Sequence, residues 1–241
     1  MSTFEPPPDY IRDTFRDYLI DRGGTGGFGL GHAEEVRRFK FYLDTFEDFI
    51  SRQESEEIAS LEAEVVHLTE EGRSEFWSWY YPVHWEEIFR TNLRSSFLVS
   101  LISLIESRLT EVSRDVAVIA RTPIQIGDLK GSLLERANLF LERFGAFKQP
   151  TAEAWARVSQ INDIRNVFFH HAGYLPAYNH EKRARQFIQS SDMLSETNGS
   201  LTLNPEFCAY SLQIAQTFLD AIASELSALC SRIQRFEAPS R

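Results

Sequence analysis

The feature that most restricts the fold of this chain is a long run of apolar residues at helical spacing between residues 84 and 121. Ten of them recur every three or four positions: Leu93, Phe97, Leu98, Leu101, Ile102, Leu104, Ile105, Leu109, Val112 and Val116. An apolar face this broad is typical of a helix in a bundle core. Pro82 favours a helix start, and Pro123 ends the pattern. We therefore expect an all-α protein, an up-and-down helical bundle.

Helical spacing also marks four other segments, namely residues 33–69, 129–144, 151–173 and 205–236. The first is long enough to form one arm or two helices. Gly145 favours a helix end and Thr151 a helix start. Short apolar alternations at 185–193 and 200–203 flank Asn198-Gly199, a strong signal for a two-residue hairpin turn. We therefore expect a small β-hairpin before the last helix.

The first third of the chain has a different texture. Pro6 to Pro8 exclude a helix interior. Asp21–His32 holds six glycines but lacks the Gly-Lys-Ser/Thr ending of a phosphate-binding loop, so a flexible connector is the better prediction. The aromatic cluster Phe76–Tyr81 favours packing at a corner of the core over base stacking. We treat residues 1–82 as an N-terminal extension, an irregular start followed by a long helix, and residues 83–241 as the helical bundle.

Composition limits the class of function. The 241 residues carry a net charge of −10, which argues against a protein that coats nucleic acid broadly but leaves room for a small local anion site. Cys208 and Cys230 are 22 positions apart in one helical pattern, so we expect two buried free thiols and a reducing, cytoplasmic setting. The longest apolar stretch, around residues 97–105, is shorter than the ~20 residues of a membrane span, and the start lacks the pattern of a secretory signal. We expect no membrane association, no cofactor and no metal.

The residues with the clearest chemical meaning lie in Ile164–Gly173, at the end of the predicted fourth helix. On a helical wheel, Asn166 and His170 are one turn apart and point away from the apolar face of Ile161, Ile164, Phe168 and Ala172. Arg165 donates in a fork that fits phosphate, and a histidine exchanges protons near neutral pH. Cleavage of RNA without a metal requires a base, an acid and a cation for the phosphorane charge.

This segment resembles the signature of HEPN domains, Arg-x₄₋₆-His with Asn often after the Arg. Ser95–Leu109 is similar to an earlier bundle helix of that family, which often has Glu at the position of Glu106. The resemblance covers roughly residues 83–236. It implies an all-α bundle, a homodimer with two Arg–His helices face to face, and a metal-independent endoribonuclease. Such enzymes serve bacterial toxin–antitoxin, antiviral defence and other conflict systems, so an antitoxin or defence-system protein is an expected partner and RNA the expected substrate.

By this resemblance Arg165 stabilises phosphate, His170 is the catalytic histidine, Asn166 supports the site and Glu106 orients it. His171 offers an alternative register, and His170 is preferred because it shares a face with Asn166. Family toxins paired with nucleotidyltransferase antitoxins often carry Tyr two residues after the His, where this chain has Ala172. Two other predictions remain open: a non-catalytic HEPN-like module that binds a nucleotide or protein partner, and an unrelated helical protein.

Overall fold

Helices account for most of the part of the chain that the structure, a computed structural model, describes: residues 27–147 and 152–237. In chain order they are α1 (Gly27–Val65), α2 (Glu70–Tyr80), a π-helical segment (Trp85–Arg90), α3 (Thr91–Ala120), α4 (Leu133–Gly145), α5 (Ala152–His171), α6 (Glu181–Gln189) and α7 (Pro205–Glu237). The strands β1 (Leu194–Thr197) and β2 (Ser200–Leu203) form an antiparallel hairpin before α7. The predicted all-α bundle with a small hairpin is confirmed.

The chain divides into two compact units, and the boundaries between them fall inside helices. Unit 1 comprises the described parts of Met1–Arg37, Leu101–Asp163 and Tyr210–Arg241. Unit 2 comprises Arg38–Ser100 and Ile164–Ala209. Each unit therefore combines segments that are distant in sequence, and α1, α3, α5 and α7 contribute residues to both. The division at residues 82 and 83 follows the family resemblance and stays a prediction.

The core of unit 1 is formed by apolar side chains of α3, α4, α5 and α7. Trp155 meets Phe218 edge to face, with ring centroids 4.7 Å apart. Side chains with 1% exposure or less include Leu101, Ile102, Ile105, Leu109, Val116, Ala137, Phe140, Leu141, Val158, Ile161, Ala215, Phe218 and Leu226. Burial on this scale supplies most of the favourable free energy of folding. The broad face predicted for α3 is thus largely a core face.

The core of unit 2 joins helices to the hairpin. The ring centroids of Phe187 of α6 and Phe207 of α7 lie 6.1 Å apart. Leu201 and Leu203 of β2 are buried in the same unit. The hairpin turn is Asn198-Gly199, with φ of 52° and 84°. Positive φ at both turn residues is what a type I′ turn requires and what Asn-Gly tolerates. The predicted turn is confirmed, although residues 185–189 belong to α6 and the first strand begins at Leu194.

A buried arginine of α3 connects this helix to three other segments of unit 2, namely α1, the π-helical segment and β2. Arg94 of α3 is 4% exposed and donates to Glu47 of α1 at 2.7 and 3.2 Å, to Glu86 at 2.9 Å and to the Leu203 carbonyl at 2.8 Å. Burial opposes the charge on Arg94, but the hydrogen bond and the charge of Glu47, with the charge of Glu86, outweigh it and raise the pKa above its ordinary value. Arg90 binds Glu54 at 2.7 Å in the same region.

The aromatic cluster before Pro82 is not core packing, and that prediction was wrong. None of the residues of α2 is buried, and Trp79, Tyr80 and Tyr81 are 78%, 63% and 52% exposed. The rings contact one another instead: Phe76 stacks on Tyr80 at 4.9 Å. Rings one turn apart on a helix bury part of their apolar surface against each other.

Several boundaries differ from those expected. Residues 33–65 form one helix rather than two. Gly27–His32 also belong to this helix, so the predicted flexible connector was wrong over these residues. Residues 21–26 and the predicted Thr151 cap lie outside the described residues. Helix α4 starts at Leu133 because Ser132 caps it, accepting from the Glu135 N–H while the Glu135 carboxylate accepts from Ser132 N–H.

Two features relate to the predicted cytoplasmic, membrane-free setting: the two thiols and the long apolar helix. Cys208 and Cys230 are buried and free, as expected. In the described part, the stretch Glu70–Ala120 contains an 18-residue window long and apolar enough for a membrane span, 44% of which is buried inside the protein. Buried core helices share this length and composition. The cytoplasmic setting and the lack of membrane association stay predictions.

Candidate functional site

The last turns of α5 hold the predicted site. In unit 2, Ile164 and Val167 are completely buried and anchor this part of the helix, so the neighbouring polar residues face outward. Asn166 is half-buried and His170 is exposed. Phe168 is half-buried and Ala172 is exposed, although the helical wheel predicted that both lie on the core face. Ala172 has φ of 49°, which ends the helical conformation. Val167, which was not predicted on the core face, is buried.

The helix end is held by backbone hydrogen bonds to the hairpin. The Gly173 N–H donates to the Val167 carbonyl at 3.1 Å, and the Gly173 carbonyl accepts from Leu201 N–H at 2.9 Å. The Leu175 N–H donates to the Gly199 carbonyl at 2.8 Å. Gly173 has φ of 84°, and a Cβ there would lie 3.1 Å from a Phe168 ring carbon. The glycine that ends the sequence motif is therefore required by the backbone.

Arg165 and Asn166 are in direct contact. One Nη of Arg165 donates to Asn166 Oδ1 at 2.9 Å, and the guanidinium carbon lies 5.6 Å from the centroid of the Phe169 ring. A guanidinium over a ring face is a cation–π arrangement, which orients the group and keeps its charge. Asn166 thus orients the Arg165 guanidinium. Its supporting role in a catalytic site stays a prediction.

The two histidines differ in their surroundings. The exposed ring of His170 meets the Phe169 ring edge to face at 4.8 Å. His171 is half-buried, and its ring lies 6.0 Å from that of Tyr178, which is 8% exposed. The two histidine rings are 6.2 Å apart. His170 is thus the more accessible of the two registers.

Glu106 was predicted as a site residue, whereas Phe169 was not. Glu106 is half-buried on α3 in unit 1, whereas Arg165, Asn166 and His170 belong to unit 2, and its orienting role stays a prediction. Phe169 was not predicted as a site residue, because an apolar side chain among apolar neighbours indicates core. It is 60% exposed and contacts both Arg165 and His170.

Within residues 27–147 and 152–237, no three His, Cys, Asp or Glu side chains gather as they would around a metal ion. The donor set at the end of α5 is one guanidinium, one amide and imidazoles. Such a set binds anions and transfers protons.

Comparisons with known proteins return no similar family: no protein-family model, curated protein or solved structure matches this chain.

Proposed function

We propose that this protein is a metal-independent endoribonuclease that acts as a homodimer, with the ends of two α5 helices at a shared cleft. The observation that carries the proposal is the exposed His170 on the helix turn where Asn166 holds the Arg165 guanidinium at 2.9 Å. The resemblance of this segment to the HEPN signature supports the same reaction.

The reaction requires only groups that this turn supplies. One His170 imidazole accepts the proton of the ribose 2′-hydroxyl, whose oxygen then attacks the adjacent phosphorus. Arg165 stabilises the charge that builds on the phosphorane oxygens. The bond to the 5′-oxygen breaks, and an imidazolium, for which the second subunit's copy of this histidine is suited, protonates that oxygen. The products are a 2′,3′-cyclic phosphate and a 5′-hydroxyl.

We place the enzyme in a bacterial toxin–antitoxin or other defence system, in which an antitoxin or a second defence protein restrains or triggers it. The net charge of −10 disfavours indiscriminate RNA binding. A narrow local site, or RNA delivered by a partner, fits this charge better than a broad basic groove.

The test is induction of the protein in a bacterial host beside Arg165→Ala and His170→Ala. We expect the wild type to arrest growth and to leave RNA fragments that end in 2′,3′-cyclic phosphate. Both variants should fold, by circular dichroism, and do neither. His171→Ala tests the register: it should still leave fragments with 2′,3′-cyclic phosphate ends, although more slowly than the wild type, whereas His170→Ala should leave none.

Purified wild-type protein that leaves RNA intact, with growth equal for all variants, would contradict the proposal. That outcome would favour the second candidate, a non-catalytic module. One observation supports this candidate independently: Arg165 is engaged by Asn166 and Phe169 of its own chain, as a structural network would be.

A further inference from the structure

The segment that follows the site differs in charge from the rest of the chain. Between Arg165 and Arg185 there are four Arg or Lys residues and one Glu, together with three of the six histidines, in a chain of net charge −10. A local excess of cations in an acidic protein points to an anionic ligand at that place. All of these residues belong to unit 2.

Aromatic rings connect the catalytic turn to the start of α6. The centroid of His171 lies 6.2 Å from that of His170 and 6.0 Å from that of Tyr178, and Tyr178 lies 5.6 Å from His180. His180 is exposed and precedes α6, on whose first turn Lys182 and Arg183 are exposed. We call this set of six residues, from His170 to Arg183, the ring track.

The single acidic residue of this segment, Glu181, is paired with an arginine. The Glu181 carboxylate accepts from Arg185 Nε at 2.8 Å, and Arg185 also pairs with Glu196 of β1. Arg185 offsets one of these two negative charges, and the exposed Lys182 and Arg183 add two positive charges on the first turn of α6. The N-terminus of α6 adds partial positive charge in the same place.

Building on the ribonuclease proposed above, we infer that the ring track binds the sugar–phosphate backbone of single-stranded RNA on one side of the scissile bond. The imidazoles and the α6 cations bind phosphates along the track. The exposed Phe169 ring beside His170 offers a stacking surface for an unpaired base. A base-paired strand keeps its bases stacked on one another and cannot use this ring.

The test measures binding to the full chain of a single-stranded RNA of about twelve nucleotides, 2′-O-methylated so that the RNA has no 2′-hydroxyl to attack the phosphorus and cannot be cleaved. Adding Lys182→Ala and Arg183→Ala should weaken binding about tenfold at moderate salt, because two phosphate contacts are lost. The slope of log affinity against log salt should become shallower by about 1.4, since each phosphate contact to a single strand contributes ~0.7. Phe169→Ala should weaken binding without a change of slope.

The matched control replaces two exposed cations of unit 1, Lys130→Ala and Arg143→Ala, and should leave both affinity and slope unchanged. If the variant with both Lys182→Ala and Arg183→Ala unfolds at the assay temperature, Lys182→Glu alone replaces it and should also weaken RNA binding.

Cleavage by the wild type combined with unaltered affinity in the α6 variant would overturn the track and leave the nuclease proposal standing. Track-dependent binding without cleavage by the wild type would overturn the nuclease and keep the track. Absence of RNA binding in every protein, together with no cleavage by the wild type, would overturn both.

Discussion

The Gly173 carbonyl oxygen accepts a hydrogen bond from the Leu201 N–H at 2.9 Å, and this bond joins the end of the His170 helix to strand β2. The exposed turn that carries the proposed catalytic histidine therefore rests on a small sheet, whose register is set by a tight turn at Asn198-Gly199. A helix end held in this way keeps its last side chains in one geometry, which a phosphate site requires.

Gly173→Ala should destabilise the protein by about 1–2 kcal/mol, because an L-residue at φ of 84° is strained and its Cβ would approach Phe168 to 3.1 Å. Urea unfolding measures the loss. Gly127→Ala is the control, since a Cβ there meets nothing within 4 Å, and its effect should stay within ~0.5 kcal/mol. Equal effects of the two variants would argue against a strained helix end.

Arg94→Ala should destabilise the protein by about 3 kcal/mol, because it removes the buried cation from the largely buried Glu47, which then has Arg90 at 3.7 Å as a weaker partner. The matched variant is Arg37→Ala, whose side chain is 75% exposed and pairs with Glu34 at 3.0 Å. Exposed pairs contribute less than ~1 kcal/mol. If both variants lowered the thermal midpoint equally, the Arg94 network would stabilise the protein no more than an exposed ion pair does.

Burial raises the pKa of the Cys208 thiol from 9.0 to about 12, with Arg94 opposing the shift and Glu47 adding to it. The folded protein therefore holds this proton when the unfolded chain releases it. The protonated Cys208 therefore contributes in full to the free energy of unfolding below pH ~9. This contribution is lost as the pH rises toward about 12. Denaturation of wild type and Cys208→Ala at pH 8 and 10.5 should show their stability difference shrinking, and a constant difference would refute this.

Asn166→Ala should slow RNA cleavage about tenfold, the equivalent of one hydrogen bond, because Arg165 loses its acceptor at 2.9 Å. Asn166→Asp keeps the acceptor but places a negative charge against the guanidinium. If Asn166 only supports the fold, the Asp variant should be the milder one. If Arg165 binds phosphate, the Asp variant should be the slower one, with weaker RNA binding.

Local features of the fold could be predicted from the sequence because they depend on short-range spacing. The apolar period of α3, the hairpin turn and the end of α5 follow from residues within a turn or two of one another. Arg165, Asn166 and His170 could be proposed as a site for the same reason, with the family resemblance added. The exposed α2 aromatics could not, because an apolar cluster has the same sequence pattern in a core and on a surface.

The sequence by itself thus determined the all-α class, the Asn-Gly hairpin and the polar turn before Gly173, since each rests on backbone preferences of neighbouring residues. Only the tertiary structure decided that Arg94 is a buried cation, that Phe169 is exposed and that Val167 rather than Ala172 lies in the core. Arg94 meets Glu47 and the Leu203 carbonyl across 47 and 109 residues of sequence. Contacts at such separations depend on how the helices pack, and spacing along one helix contains no information about them.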